Sequence, residues 1–282
     1  MKTLIIINRD EWRVAGGEMT PKARAAFSRH ASRVTRHALA FTLVELLTVI
    51  AIIAILGAML LPVIAIAKIH AQKSQAKMQM SSIVTAIQNY DSAYSRMPIS
   101  LVGAPNTNYF TFGGVFQTPT GSWSGGGALN YFTNNCDVIA ILMDITTYTN
   151  GAPTANDRHQ KNPQQTIFLN AKMGSDPTLP GVGPDLNYRD PWGNPYVITI
   201  DSIDDNQCKD DFYGLSVVSG PGGLNTNPGL NGLINPDNTG ATPDNFRYHG
   251  NVMVWSAGPD KKIDPNAPAN QGVNKDNVLS WQ

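Results

Sequence analysis

The chain has 282 residues, 42% hydrophobic and only 15% charged, with 21 Lys/Arg balancing 21 Asp/Glu. The balance hides an asymmetry: residues 1–40 carry eight basic residues against three acids, net +5, while residues 41–282 carry 13 against 18, net −5. An acidic remainder excludes a broadly basic nucleic-acid surface, and no nucleic-acid partner is expected.

Residues 41–67 (FTLVELLTVIAIIAILGAMLLPVIAIA) form an apolar run of 27 positions whose single charge is Glu45. As a helix it reaches about 40 Å, enough to cross roughly 30 Å of hydrocarbon. The basic leader before it stays in the cytoplasm, which puts Phe41 inside and everything after Ala67 outside. An ionised acid at mid-bilayer costs roughly 2.5–3.5 kcal/mol, so Glu45 reads as a functional residue in need of a partner. The plainer alternative has it reaching the headgroups from the cytoplasmic end. Pro62 removes a backbone donor and Gly57 lowers helix propensity nearby, so the stretch between them is a candidate for local unwinding or for a kink.

Beyond the run the helix continues over residues 68–97 in an amphipathic form. Ile69, Ala76, Met80, Ile83, Ile87, Tyr90 and Tyr94 recur at helical steps, with Lys68, Lys73, Lys77, Gln79 and Gln88 off the stripe. This stripe is expected to pack on the chain's own C-terminal domain. Pro98 disfavours helical geometry in the residue before it, so the helix should end around Ser95 to Met97.

Residues 98–282 read as a separate soluble domain, long enough to bury a core. A Gly/Ser/Thr/Asn-rich stretch near 103–130 is expected to be an exposed excursion. Val138, Ile141, Leu142 and Ile145 predict a short amphipathic helix. Strands are expected at Tyr196–Ile200, Phe212–Val218 and Val252–Ser256, separated by Gly/Pro/Asn/Asp turns. A long N-terminal helix packed on an antiparallel sheet is an α+β plan. Cys136 and Cys208 both fall in the exported part, where a disulfide between them is permitted.

The junction His37-Ala38-Leu39-Ala40-Phe41-Thr42-Leu43-Val44-Glu45 resembles the prepilin-type signal of type IV pilins and type II secretion pseudopilins. The resemblance implies cleavage by a prepilin peptidase between Ala40 and Phe41 and methylation of the new amino terminus. Ala40 departs from the usual glycine. Met19 is an alternative start that leaves a leader of 22 residues, 19–40. Once the leader is removed, an ammonium group stands at Phe41, four residues from Glu45. If a neighbouring subunit is displaced axially by a few residues, its amine reaches this carboxylate. Such buried pairs act better as register devices than as sources of stability.

The segment Asp190-Pro191-Trp192-Gly193-Asn194-Pro195-Tyr196 reads bottom-up as a rigid turn feeding a strand, with Trp192 as a core or corner plug. It resembles the DPWGNPY turn of major pseudopilins. The loop Ser256-Ala257-Gly258-Pro259-Asp260, followed later by Lys275-Asp276-Asn277, offers hard oxygen ligands of the kind Ca²⁺ takes. The resemblance implies a calcium ion held by Asp260, Asp276, Asn277 and a carbonyl near Ala257, with Asp264 as an addition; the alternative is a solvated acidic loop.

For function the resemblance implies a structural subunit of a helical pseudopilus in type II secretion. Its partners would be copies of itself, minor pseudopilins, the peptidase, an inner-membrane platform protein, an assembly ATPase and, before assembly, membrane lipid. The location would be the inner membrane with a periplasmic domain, then a filament. A type IV pilin for adhesion, motility or DNA uptake is the nearest alternative. A membrane-anchored periplasmic hydrolase is the alternative of another class, but His70, His159 and His249 are isolated in sequence. There is no HExxH, nucleophile elbow or P-loop, so no enzyme is expected.

Overall fold

The computed structural model describes residues 41–100, 108–221, 227–237 and 243–282. The chain divides into two compact units, 1–54 and 55–282. The leader, with Ala40 and Met19, lies outside the described residues, as do residues 103–107 of the expected insertion.

In the first unit the described residues open helix α1 (Leu43–Tyr94). A helix satisfies every backbone group within its own segment, as hydrocarbon requires. Leu43, Val44, Leu46, Leu47, Ile50 and Ile52 are all exposed, an apolar surface all round of the kind a lipid-facing or filament-core helix presents.

In the second unit the helical conformation runs through Gly57 and Pro62. Burial starts at Ala76, and Ala76, Met80, Ile83, Ala86, Ile87 and Tyr90 are at most 1% exposed. Ile69, expected in the stripe, is 41% exposed instead. Periodicity marks a helix face but not the point along it where a partner begins. α1 closes at Tyr94, where Ser95 turns to φ 50° and its amide still donates to the Asp91 carbonyl at 2.6 Å.

The strands are β1 (Tyr109–Phe112), β2 (Phe116–Thr118), β3 (Gly121–Trp123), β4 (Tyr131–Phe132), β5 (Gly181–Val182), β6 (Tyr188–Arg189), β7 (Val197–Asp201), β8 (Gln207–Cys208), β9 (Tyr248–His249), β10 (Val252–Ser256) and β11 (Val278–Leu279). Among the described residues the other α-helices are α2 (Cys136–Leu142) and α3 (Ser216–Ser219). The main sheet has order β11-β10-β7-β1-β4, antiparallel except for the β1/β4 edge pair. This is the α+β plan of a long helix and an antiparallel-rich sheet.

β7 and β10 are buried at every position, so both sheet faces are covered. On one face Ile198, Ile200, Val252 and Val254 join the α1 stripe and α2 in a single cluster. On the other, Val197, Met253 and Trp255 join Phe116, Trp123, Phe212, Tyr213, Val218, Leu233 and Phe246. From residue 76 on, the described residues therefore form three layers: helix, sheet and a largely irregular cover.

Three expectations are corrected. Residues 108–130 are an exposed excursion only in part: β1 is an inner strand paired with β7, and Phe110, Phe112, Phe116 and Trp123 are buried, while Val115, residues 119–122 and Leu129 are exposed. The aromatic residues, not the surrounding glycines and serines, decide the placement. Residues 212–218 form a turn and α3 rather than a strand, because Asp210 captures the amides of Phe212 and Tyr213 at 2.9 and 2.8 Å. An amide held by a side chain has no ladder partner to find. The permitted disulfide is absent: Cys136 and Cys208 are free, buried thiols in different clusters. Burial lifts the Cys136 thiol to about 11 and Cys208 upward as well, so both stay protonated at neutral pH. The expected helix near 138–145 exists as α2, but it is a core helix, with Val138 through Leu142 fully buried.

Candidate functional site

At the start of α1, Thr42 and Glu45 bond reciprocally. The Thr42 amide and hydroxyl both donate to Glu45 Oε2 at 2.8 Å, and the Glu45 amide donates to Thr42 Oγ1 at 3.2 Å. This is a capping box, satisfying amides that a helix start leaves without intrahelical partners. Sequence reasoning passed over Thr42, although the T-x-x-E spacing ahead of an apolar run is its signature. Phe41 stands just before the box, 75% exposed.

The Asp190–Tyr196 turn is organised by Asp190, which is fully buried. Its Oδ1 accepts the amides of Trp192 and Asn194 at 2.9 and 2.8 Å. Its Oδ2 accepts Asn194 Nδ2 at 2.9 Å and the Ser256 hydroxyl at 2.5 Å. Asn194 Nδ2 also donates to the Gly258 carbonyl at 2.9 Å, so the turn holds the 256–260 loop directly. Asn135, buried at the start of α2, donates to the carbonyls of Tyr188 and Tyr196 at 3.1 and 2.8 Å and brackets the same turn. Gln72 of α1 donates to the Pro191 carbonyl at 3.2 Å. Trp192 is half-buried against the helix-side cluster, a corner plug. Burial pushes the Asp190 carboxyl up, against four hydrogen bonds that stabilise its charge.

The calcium candidates lie beside this turn. Gly258, at φ 72°, passes so close to residue 276 that a Cβ there would sit 2.5 Å from the Asp276 carbonyl oxygen. Burial, and then the like charge of Asp260, push the Asp276 carboxyl up. Asp276 Oδ1 and Asn277 Oδ1 are buried without a hydrogen-bond partner, while Asn277 Nδ2 donates to the Tyr213 hydroxyl at 3.0 Å. Two orphaned oxygens next to a second carboxylate suit a hard cation. Asp260 Oδ1 accepts the Lys262 amide at 2.9 Å, Ala257 is buried, and Asp264 Oδ1 accepts the Asn266 amide at 2.9 Å. Among the described residues no three His, Cys, Asp or Glu side chains gather as a metal cluster. A site here would therefore lean on amide and carbonyl oxygens.

His159 pairs with Asp144 at 2.8 Å, a pairing invisible in sequence. Asp144 Oδ1 also accepts Asn156 Nδ2 at 2.9 Å, so the group ties a loop together. His70 is exposed on α1.

Residues 35–61 match the family model described as the prokaryotic N-terminal methylation motif. No curated protein and no solved structure matches the chain. The chain thus carries a type IV pilin-like prepilin signal leading into a long apolar helix, a combination that fits a single-pass membrane anchor and points to a structural protein.

Proposed function

We propose that the chain is a pseudopilin, a subunit of the helical filament that drives type II secretion. The observation that carries the reading is the methylation motif running into a helix whose first turn presents Glu45. Identical subunits in a head-to-tail, non-closing contact build an open helical filament. The apolar residues 41–67 would form its core, and the Phe41 ammonium of one subunit would pair with Glu45 of another to set the register. Gly57 and Pro62 would let the helix adjust on leaving the membrane. Before assembly the apolar helix spans the inner membrane with its start in the cytoplasm and residues 98–282 in the periplasm. A prepilin peptidase, minor pseudopilins, a platform protein and an assembly ATPase would complete the machine.

The resemblance of the Asp190–Tyr196 turn favours secretion over a surface pilus. Its place beside residues 256–260 and 276–277 adds Ca²⁺ to the reading, held by Asp260, Asp276, Asn277 and the Ala257 carbonyl. The ion would neutralise the Asp260–Asp276 repulsion and tie two loops together.

Intact-mass spectrometry of the membrane-purified protein tests the first step: a chain beginning at methylated Phe41 is expected. An uncleaved mass, or cleavage after Ala67, overturns the reading. Deletion separates the two fibre functions, since loss of exported enzymes marks a pseudopilin and loss of surface fibres a pilin.

A further inference from the structure

A second group of acids closes the opposite end of the sheet. Asp201 ends β7 and is fully buried. Its amide donates to the Asn251 carbonyl at 2.8 Å, which places the two residues opposite each other where β7 meets the start of β10. Side chains opposite in an antiparallel pair share a face, with Cβ atoms about 4.5–5.5 Å apart. Asp201 Oδ1 is used, accepting the Ile203 amide at 3.1 Å, but Oδ2 is sealed from solvent without a partner. Asn251 Oδ1 is likewise buried and without a partner. The orientation of that amide is set by Asp204, whose carboxylate requires the Nδ2 donor and so turns the oxygen the other way.

Asp205 supplies the third group. Its side chain is in hydrogen-bond contact with the Asp201 carboxyl, and neither group has a proton to give when both are ionised. Two carboxylates in contact cannot both ionise at low cost without a cation between them. Orphaned buried oxygens need a proton donor or a metal. Carboxylates with an amide oxygen are the ligands that Ca²⁺ accepts, in flexible geometry.

We propose that Asp201, Asp205 and Asn251 hold a divalent cation, Ca²⁺ by ligand chemistry, at a site separate from the Asp260/Asp276 loop. The ion pins the 201–206 loop to the end of the sheet. It shares no residue with the other loop and stands whether or not the chain is a pseudopilin.

The test uses the full chain, purified in detergent and stripped of metal, in equilibrium dialysis against radiocalcium. Asp201→Asn preserves the shape and the Ile203 contact while removing the charge. It is expected to bind one ion fewer than the parent, and Asp276→Asn to retain the ion that Asp201→Asn loses. A parent and an Asp201→Asn variant with equal stoichiometry overturn the site. An Asp276→Asn variant that binds as many ions as the parent overturns only the other loop. Melting curves guard against a folding defect. In chelator, Asp201→Asn and the exposed-side Asp205→Asn should melt at or above the parent, because a like-charge contact is gone; in millimolar Ca²⁺ they should melt below it. Variants that melt below the parent by the same amount in both conditions would mean a bridging water or a purely structural role, and the proposal fails.

Discussion

Glu45 gives one carboxylate oxygen, Oε2, to both the amide and the hydroxyl of Thr42 at 2.8 Å. The acid proposed to set register between subunits is thus also the cap of its own helix. The two roles are compatible because a carboxylate has two oxygens and about four lone-pair sites. The cap holds the group at the start of the helix, beside Phe41, where an incoming amine would meet it.

The two roles separate by substitution. Glu45→Gln retains the box, since glutamine also serves at that position, but removes the charge. Fibres should be lost in Glu45→Gln and Glu45→Ala alike, with membrane insertion intact or improved. Thr42→Ala should weaken the helix start by about 1 kcal/mol and leave fibres in place. Electron microscopy of the assembled fibres checks this; normal fibres from Glu45→Gln refute the register role.

At the cleavage junction, Ala40→Gly should mature at least as fast as the parent, and a bulky residue at 40 should block maturation. The leader's mass makes the two forms separable by gel. Normal maturation of the bulky variants would mean that the junction lies elsewhere.

For the 256–277 loops, binding to the folded state alone stabilises by about 2.7 kcal/mol when Ca²⁺ is a hundredfold above its dissociation constant. Asp260→Ala should remove the part of the calcium-dependent rise in melting temperature that arises here. Gly258→Ala should do so without touching a ligand, because its Cβ would sit 2.5 Å from the Asp276 carbonyl oxygen and force the two loops apart. An unchanged calcium response in both variants leaves only a solvated acidic loop.

Asp211 provides a pH dependence of defined sign. Burial first, and then Asp210, raise its carboxyl to about 7. The folded chain therefore holds a proton that the unfolded chain releases near 4. Stability from this group is fully present below that unfolded value and is lost as pH rises through about 7. A gap of one pH unit between the folded and unfolded values corresponds to roughly 1.4 kcal/mol. Asp211→Asn should flatten the fall in melting temperature over that window, and an unchanged slope would assign the titration to other groups.

The prepilin-type signal, the membrane-length helix, its buried stripe and the strands at β7 and β10 were all legible in the chain, because each is a local pattern of charge or hydrophobic period. Phe212–Val218 was not. Its apolar spacing resembles a strand, and only the buried Asp210, which accepts from Thr199 of β7 and Trp255 of β10, converts it to a turn. The same limit hid β1. Its four residues are set between Asn-Thr-Asn and Gly-Gly, and they become an inner strand only because β7 presents a free edge in matching register.

The candidate sites divide in the same way. Phe41 and Glu45 stand four residues apart in sequence and were found there, whereas Asp201 and Asn251 are neighbours only after β7 and β10 pair. A sequence determines which groups are available and what nearby groups do to them. Which distant oxygens end up buried together without a proton to share is decided by strand register and packing, and these exist only in the folded chain.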